Sequence, residues 1–241
     1  MGNFISKMVF KPPPPTYTDK DPGIFSIGGI YAYMARPDCF QHPSNVIVIC
    51  HGSGSDLGTT IPIAQQISNA TGIHVLTFDY TGYGPNQSQS PSFDQCVDDL
   101  RDVLEYTQHN RGYLLRKTIL VGWSIGSGPS CVVASTTQFH NVILVSPVAS
   151  VYACYTGFVI PLLDEYAVVE LSAHIACPLH VLHGTHDTLV PFEHGQRIYN
   201  NAAIKGIFKE VEEAGHADVV SVMGTDPFLS FINDCVFWTC K

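Results

Sequence analysis

The chain has 241 residues, of which 45% are hydrophobic and 14% charged, and its net charge is −9 at pH 7. No run of 18 or more apolar residues predicts a transmembrane helix, and the few lysines and arginines form no cluster beyond Arg116-Lys117, which argues against a nucleic-acid partner. Because one α/β domain commonly has this length, we expect a single domain, residues 17–241, after an N-terminal extension, residues 1–16.

The cysteine and histidine patterns argue against a metal site. Eight cysteines stand singly, several inside apolar runs, and no pair has C-x-x-C spacing. Since no secretory signal is present, buried free thiols in a cytoplasmic protein are favoured over disulfides or zinc. The histidines show no H-E-x-x-H or similar spacing. We therefore expect no metal, no cofactor and a monomer.

The first six residues match M-G-x-x-x-[ST], the signature for myristoylation of Gly2 after Met1 is removed. One myristoyl chain binds membranes only marginally, so the neighbouring apolar and basic side chains, Lys7 and Lys11 among them, would have to contribute. We expect peripheral membrane association through Gly2; a disordered or core-docked N-terminus is the alternative. Four prolines at 12–15 form a stiff spacer.

The first half of the domain alternates strands and helices. Residues 24–27 and 30–35 predict a hairpin through Gly28-Gly29, and the continuous apolar run at 45–50 predicts a central strand covered on both faces. Apolar periodicity predicts helices over about 59–71 and 92–110, with a strand at 73–78 between them.

The sharpest motif is Gly122-Trp123-Ser124-Ile125-Gly126, which matches G-x-S-x-G. An apolar strand, 118–123, precedes it, and small residues follow in a predicted helix to about 137. A strand that turns sharply into a helix is the context of a nucleophile elbow, in which the serine adopts a strained conformation. An ordinary serine in a glycine-rich turn is the alternative.

Three more strands are predicted, at 142–145, 178–183 and 207–211, and an apolar segment at 228–238 is either a closing helix or a second membrane contact. The alternation predicts an α/β fold with a mainly parallel twisted sheet and helices on both faces. Crossover handedness then brings the loops that carry Ser53, Asp79, Ser124, Asp187 and His216 to one edge of the sheet.

The serine is followed in the chain by Asp187 and then His216, each directly after a predicted strand. Ser, Asp, His is the chain order of the α/β-hydrolase triad. A serine hydroxyl needs a base to attack a carbonyl at neutral pH, so His216 is the predicted base, oriented by Asp187. Asp164 and Glu165 remain alternative acids.

The oxyanion of the reaction requires two backbone donors. One is expected from the residue after the nucleophile, Ile125, and the other from Ser53 in the small-residue loop 51–56. Asp79 is predicted to organise its loop by hydrogen bonds to turn amides.

Together these segments resemble the α/β-hydrolase domain-containing protein 17 family. The resemblance rests on HGSGSDLG at 51–58, DYTGYG at 79–84, GWSIG at 122–126, LHGTHD at 182–187 and EAGH at 213–216, and it spans about residues 9–220. It implies an α/β-hydrolase fold and a membrane-tethered serine hydrolase that removes palmitate from protein cysteines.

Two departures from that family's pattern bear on anchor and substrate. No cysteine precedes Cys39, so the family's palmitoylated cysteine-rich N-terminus is absent and Gly2 would replace it. Trp123, before the nucleophile, is bulkier than the polar residue expected there and would reshape the acyl pocket.

The segment between Pro147 and the strand near 179 leaves room for only a minimal lid. Its apolar residues, Phe158 and Leu162 among them, form either an acyl-chain groove together with Trp123 or a hydrophobic packing helix. A small lid suits an acyl chain attached to a bulky protein or lying in a membrane.

We therefore expect a serine hydrolase that cleaves fatty-acyl thioesters or esters, with a fatty-acylated protein or lipid as its partner. A palmitoyl-protein thioesterase is favoured. A lysophospholipase, monoacylglycerol lipase or other carboxylesterase is the nearest alternative, and a non-catalytic binding scaffold on the same fold is a remote one.

Overall fold

The computed structural model describes residues 9–39, 41–85, 87–150 and 167–239. Within these ranges eight strands form one sheet in the order β1-β2-β4-β3-β5-β6-β7-β8. The strands are β1 Ile24–Ile27, β2 Ile30–Ala35, β3 Val46–Cys50, β4 His74–Phe78, β5 Thr118–Trp123, β6 Asn141–Val145, β7 Leu179–Gly184 and β8 Lys205–Val211. The β1–β2 and β2–β4 pairs are antiparallel and the other pairs are parallel, so the predicted fold class is confirmed.

Helices cover both faces of the sheet. They are α1 Leu57–Thr71, α2 Phe93–His109, α3 Ser127–Ala134, α4 Val168–Ser172, α5 Phe192–Asn201, α6 Val219–Met223 and α7 Thr225–Val236. Alternate residues of β3 point to two separate hydrophobic cores, one on each face of the sheet. Ile47 and Ile49 belong to the core with α1, α6 and α7, whereas Val48 and Cys50 belong to the core with α2, α3, α4 and α5. This two-sided burial explains why the central strands read as continuous apolar runs.

Local hydrogen bonds account for the helix ends that differ from the predicted ones. Helix α1 begins two residues early because Asp56 accepts from the Thr59 backbone N–H at 3.0 Å while the Thr59 hydroxyl accepts from the Asp56 N–H at 3.0 Å, a capping box. Helix α3 ends at Ala134, about three residues before the predicted end, because the Ser135 and Thr136 hydroxyls donate to backbone carbonyls three residues earlier, a competition that favours helix ends.

The N-terminal segment docks on the domain from residue 9 onward. Val9 and Phe10 are buried, and the Phe10 ring packs edge-on against Phe93 at 4.9 Å between centroids. The Thr16 N–H and hydroxyl each donate to Asp56 at 2.7 Å. The sequence assigns residues 9–16 to an N-terminal extension, but in the structure Val9, Phe10 and Thr16 contact the domain, as the core-docked alternative predicts. Gly2 lies outside the described residues.

The C-terminal apolar segment is a closing helix. In α7, Phe228, Phe231 and Ile232 are buried in the core beside α1. The helix therefore packs within the domain, which agrees with the prediction of a closing helix and not with a second membrane contact. Across the described ranges, no helix combines the length and apolarity that crossing a membrane requires.

The six described cysteines are free, and five of them are buried, as the sequence predicts. Burial raises the pKa of Cys50 and of Cys131 to about 12. No cluster of metal-binding side chains occurs among the residues that the structure describes.

Candidate active site

Ser124 occupies the sharp turn at the end of β5. Its φ is 51°, in the left-handed region that costs a non-glycine residue about 1–3 kcal/mol and is maintained only by its surroundings. The glycines on either side leave no room for a side chain: a Cβ on Gly122 would lie 2.8 Å from Ser130 Oγ, and one on Gly126 would overlap the Cys50 carbonyl oxygen. Packing therefore holds the serine in the strained conformation that the motif predicts.

The structure brings together the three side chains predicted to form the triad. Ser124 Oγ lies 2.8 Å from His216 Nε2, and His216 Nδ1 lies 2.7 Å from Asp187 Oδ2. The Asp187 side chain is fully buried, whereas 17% of the His216 side chain is exposed. The chain of hydrogen bonds thus runs from a buried carboxylate through a partly exposed imidazole to the serine hydroxyl.

Asp187 is held by four neighbours. Its Oδ1 accepts from the backbone N–H groups of Leu189 and Val190, at 3.0 and 2.7 Å. Burial acts to raise the pKa of Asp187, but hydrogen bonds from His183, His216 and the Val190 N–H outweigh it and lower the pKa well below its usual value. The carboxylate therefore stays ionised, as required of a group that stabilises an imidazolium.

The loops after β7 and β8 are joined to each other, which fixes the acid relative to the base. The His186 N–H donates to the Ala214 carbonyl at 2.9 Å, and the Glu213 N–H donates to the Thr185 hydroxyl at 3.0 Å. Asp218 accepts from the Gly215 N–H at 2.6 Å, so it supports the turn that carries the base and does not orient the ring. The alternative acids Asp164 and Glu165 lie outside the described residues.

The loop expected to supply one oxyanion donor lies directly beside the nucleophile. A Cβ built on Gly52 would be 3.4 Å from Ser124 Cβ, and the Tyr83 hydroxyl holds the loop by donating to the Ser53 carbonyl at 3.0 Å. Ile125 lies in the helical turn Ser124–Gly126, where N–H groups lack intrahelical partners. Ile125 and the loop that carries Ser53 therefore flank Ser124.

Asp79 acts as the loop organiser that the sequence predicts. Its carboxylate accepts from the Leu57 N–H and from the Tyr17 hydroxyl, each at 2.6 Å, and contacts His51 Nε2 at 3.3 Å. Sequence reasoning missed Tyr17, because nothing in the proline-rich segment around it indicates that it reaches a loop 62 residues away.

Trp123 borders a cavity of about 200 Å³ beside the nucleophile. The cavity lies between the Gly52 loop and α1, with Thr59, Thr60 and Ile63 in its wall, and the Trp123 ring packs against Phe228 at 5.8 Å. The other two residues predicted to bind substrate, Phe158 and Leu162, lie outside the described residues. A larger cavity of about 500 Å³ lies at the opposite, amino-terminal ends of β5, β6 and β7, remote from Ser124.

Comparisons with known proteins agree with this geometry. The family model described as serine aminopeptidase, S33, a hydrolase family, matches residues 41–167. The Caenorhabditis elegans α/β-hydrolase domain-containing protein aho-3 is 28% identical over 248 residues, which cover 90% of this chain and 74% of that protein. Human α/β-hydrolase domain-containing protein 17B is 24% identical over 257 residues, covering 90% and 86%.

Solved structures show the same fold. The Pyrococcus furiosus esterase Pf2001 superimposes with a TM-score of 0.71 at 16% identity, covering 95% of this chain and 98% of that one. The resemblance to the α/β-hydrolase domain-containing protein 17 family is confirmed by the relatives. The protein is a serine hydrolase with the α/β-hydrolase fold, and the chain belongs to the serine aminopeptidase S33 family.

Proposed function

We propose that this serine hydrolase cleaves fatty-acyl thioesters or esters through an acyl-enzyme on Ser124, with palmitoylated protein as its preferred substrate. The observation that carries the reaction type is the continuous hydrogen-bonded chain from Ser124 through His216 to Asp187. The likeness to the α/β-hydrolase domain-containing protein 17 family supports the choice of acyl group and leaving group.

In the first half-reaction, Ser124 Oγ attacks the acyl carbonyl as its proton passes to His216 Nε2. The negative charge that develops on the carbonyl oxygen is stabilised by the backbone N–H groups of Ser53 and Ile125. The bond to the leaving cysteine sulfur or alcohol oxygen then breaks, and His216 returns the proton to that atom. The acyl group is left esterified to Ser124.

In the second half-reaction, His216 takes a proton from water, and the resulting hydroxide attacks the acyl-enzyme. The ester bond to Ser124 breaks, the proton returns to Ser124 Oγ, and the fatty acid leaves. Asp187 stays ionised throughout and stabilises the positive ring of His216 in both transition states.

Exposed apolar side chains near the triad in sequence support a lipid-like substrate. Leu189, two residues after Asp187, is 52% exposed, and Val222, six residues after His216, is 47% exposed. Leu189 also lies in the loop that binds Asp187, where an exposed apolar side chain suits contact with an acyl chain or a membrane surface. We also propose Phe158 and Leu162 as residues that bind the acyl chain.

We propose that the protein is cytoplasmic and meets its substrate at a membrane, to which a myristoyl group on Gly2 attaches it. The motif at residues 1–6 supports the anchor. In the described part of the N-terminus, Thr16 and Tyr17 bind Asp56 and Asp79, which lie in loops after β3 and β4. Thr16 and Tyr17 thus lie at the edge of the sheet that carries Ser124, which would suit a substrate in the same membrane.

Labelling with a fluorophosphonate probe tests the nucleophile. The wild type is expected to label, and Ser124→Ala is expected to lose both labelling and hydrolysis. Ser26→Ala, which removes an exposed hydroxyl on β1, serves as the matched control and should label normally. Equal labelling of Ser124→Ala would contradict the proposal.

A substrate comparison tests the acyl chemistry. Purified wild type is offered a palmitoyl-cysteine peptide, a palmitoyl lysophospholipid, a monoacylglycerol and an aminoacyl anilide, with Ser124→Ala as the blank. The palmitoyl-cysteine peptide is expected to give the highest kcat/KM. Preference for either lipid would instead identify a lysophospholipase or monoacylglycerol lipase, and preference for the anilide would identify a peptidase.

A further inference from the structure

His183 is a buried side chain beside the triad to which the proposed mechanism assigns no step. It is the penultimate residue of β7 and is fully buried. Helix α5 packs over it, so closely that a Cβ on Gly195 would lie 2.5 Å from His183 Nδ1, and the Phe192 ring lies 5.7 Å away. Sequence reasoning placed His183 at the end of a buried strand and assigned it no role.

One nitrogen of His183 contacts both the triad carboxylate and its supporting loop. His183 Nε2 lies 3.3 Å from Asp187 Oδ2 and 3.0 Å from the Val190 carbonyl oxygen. Because the Val190 N–H donates to Asp187 Oδ1 at 2.7 Å, His183, Asp187 and Val190 form a closed ring of contacts. Asp187 Oδ2 is the same oxygen that accepts from His216.

These neighbours determine which nitrogen of His183 carries its hydrogen. A backbone carbonyl and an ionised carboxylate are acceptors only, so Nε2 is assigned as the donor to both. His183 Nδ1 is buried and has no hydrogen-bond partner among the described residues. The ring therefore donates from Nε2 toward the acid of the triad.

We infer that His183 is a positioning residue of the catalytic triad: its Nε2–H holds Asp187 Oδ2 in the orientation that His216 requires and shares the negative charge of that oxygen. The inference rests on the catalytic role proposed for Ser124, His216 and Asp187. His183 is then a second histidine that contacts the same carboxylate oxygen, in a different role. His216 moves protons, whereas His183 only donates a hydrogen bond.

Loss of this donor has a consequence for pH dependence that a purely structural role would not produce. Without His183, the charge on Asp187 Oδ2 is shared with His216 alone, which favours the protonated form of the His216 ring. Activity requires the neutral ring, so the acidic limb of kcat/KM should move to higher pH.

Other titratable groups on the surrounding elements do not replace His183 in this role. Within the described parts of the chain, His183 and His216 are the only basic side chains within ion-pair distance of Asp187. The titratable side chains on the elements packed around His183 are His186 in the adjoining loop, Lys205, Lys209 and Glu210 on β8, of which Glu210 lies opposite His183, Glu193, His194, Arg197 and Tyr199 on α5, and His216.

Four variants separate positioning from packing. His183→Leu removes the donor, and His183→Gln keeps an amide N–H at similar reach. Gly195→Ala keeps the imidazole but adds the Cβ that displaces it. The matched control is His180→Leu, because His180 is equally buried on the same strand but accepts a hydrogen bond from the β8 backbone, at Ile207 N, 2.9 Å away.

Each purified variant is assayed for kcat/KM on a soluble acyl ester between pH 5 and 9, with circular dichroism and thermal unfolding to monitor folding. We expect His183→Leu to lose about tenfold to a hundredfold in kcat/KM, the range for a small displacement of a catalytic group. The midpoint of its acidic limb should rise by about half a pH unit or more. His183→Gln should recover most of the lost kcat/KM and most of the shift in the midpoint, and His180→Leu should keep the wild-type midpoint.

The outcomes are decisive in either direction. A wild-type midpoint in folded His183→Leu, or an equal shift in His180→Leu, would overturn the inference. If His183→Leu does not fold, Gly195→Ala decides: a raised midpoint supports the inference, and a wild-type midpoint overturns it. Failure of the proposed function is distinguishable, since then the wild type would not react with the fluorophosphonate probe or Ser124→Ala would remain active.

Discussion

Replacement of Asp187 by Asn tests the triad with almost no change in shape. The side-chain oxygen of the Asn would stay at the Oδ1 position, because the Leu189 and Val190 N–H groups donate there at 3.0 and 2.7 Å. The new NH2 group would then occupy the Oδ2 position, 2.7 Å from His216 Nδ1. That group donates to His216, so the ring must carry its own hydrogen on Nε2.

A His216 ring with hydrogen on Nε2 cannot accept the proton of Ser124. In serine proteases of an unrelated fold, the same tautomer change lowers kcat by about 10⁴-fold, which corresponds to about 5.4 kcal/mol of transition-state stabilisation. We expect a loss of this order for Asp187→Asn at pH 7. The measurement is kcat on a soluble acyl ester, with circular dichroism to show that the variant is folded.

Asp218→Asn is the matched control for this substitution. Asp218 accepts from the Gly215 N–H at 2.6 Å, and an Asn oxygen can accept the same bond, so its effect should stay within the small range of surface substitutions. A loss below about tenfold in folded Asp187→Asn would refute the reasoning, because the wrong tautomer of His216 cannot act as the base.

Other parts of the structure give three more predictions. Trp123→Leu should enlarge the cavity of about 200 Å³ and raise the ratio of kcat/KM for long over short acyl esters by about tenfold or more, measured on a chain-length series. Tyr17→Phe should lower the free energy of unfolding by about 1.5–3 kcal/mol in urea titration, since it removes the buried 2.6 Å hydrogen bond to Asp79. A thiol reagent at pH 8 should label exposed Cys39 in the native protein and leave Cys50 unlabelled, because burial raises the Cys50 pKa to about 12; peptide mass spectrometry measures both.

Each of these has a contrary result. An unchanged chain-length ratio in Trp123→Leu would mean that the cavity does not hold the acyl chain. Equal stabilities of Tyr17→Phe and of the control Tyr31→Phe would show that the Asp79 contact does not stabilise the fold. Rapid native labelling of Cys50 would contradict its burial.

The fold was predictable because its signals are local. Continuous apolar runs such as 46–50 indicate strands buried on both faces, and glycines at 28 and 29 indicate the hairpin turn. The ends of α1 and α3 were less predictable, because hydroxyl and carboxylate side chains set them by hydrogen bonds. Helix α5 was not predicted, and Gly195 in its middle is explained by its close approach to His183 and Val181 on β7.

The class of chemistry could be inferred from residue order alone. Ser124, Asp187 and His216 could be selected because each follows a strand, and parallel strands deliver their carboxyl ends to one edge of the sheet. How these residues are held became visible only in the folded protein. The donation of His183 to Asp187 and of Tyr17 to Asp79 depends on side-chain orientation and close packing between elements, which residue spacing does not specify.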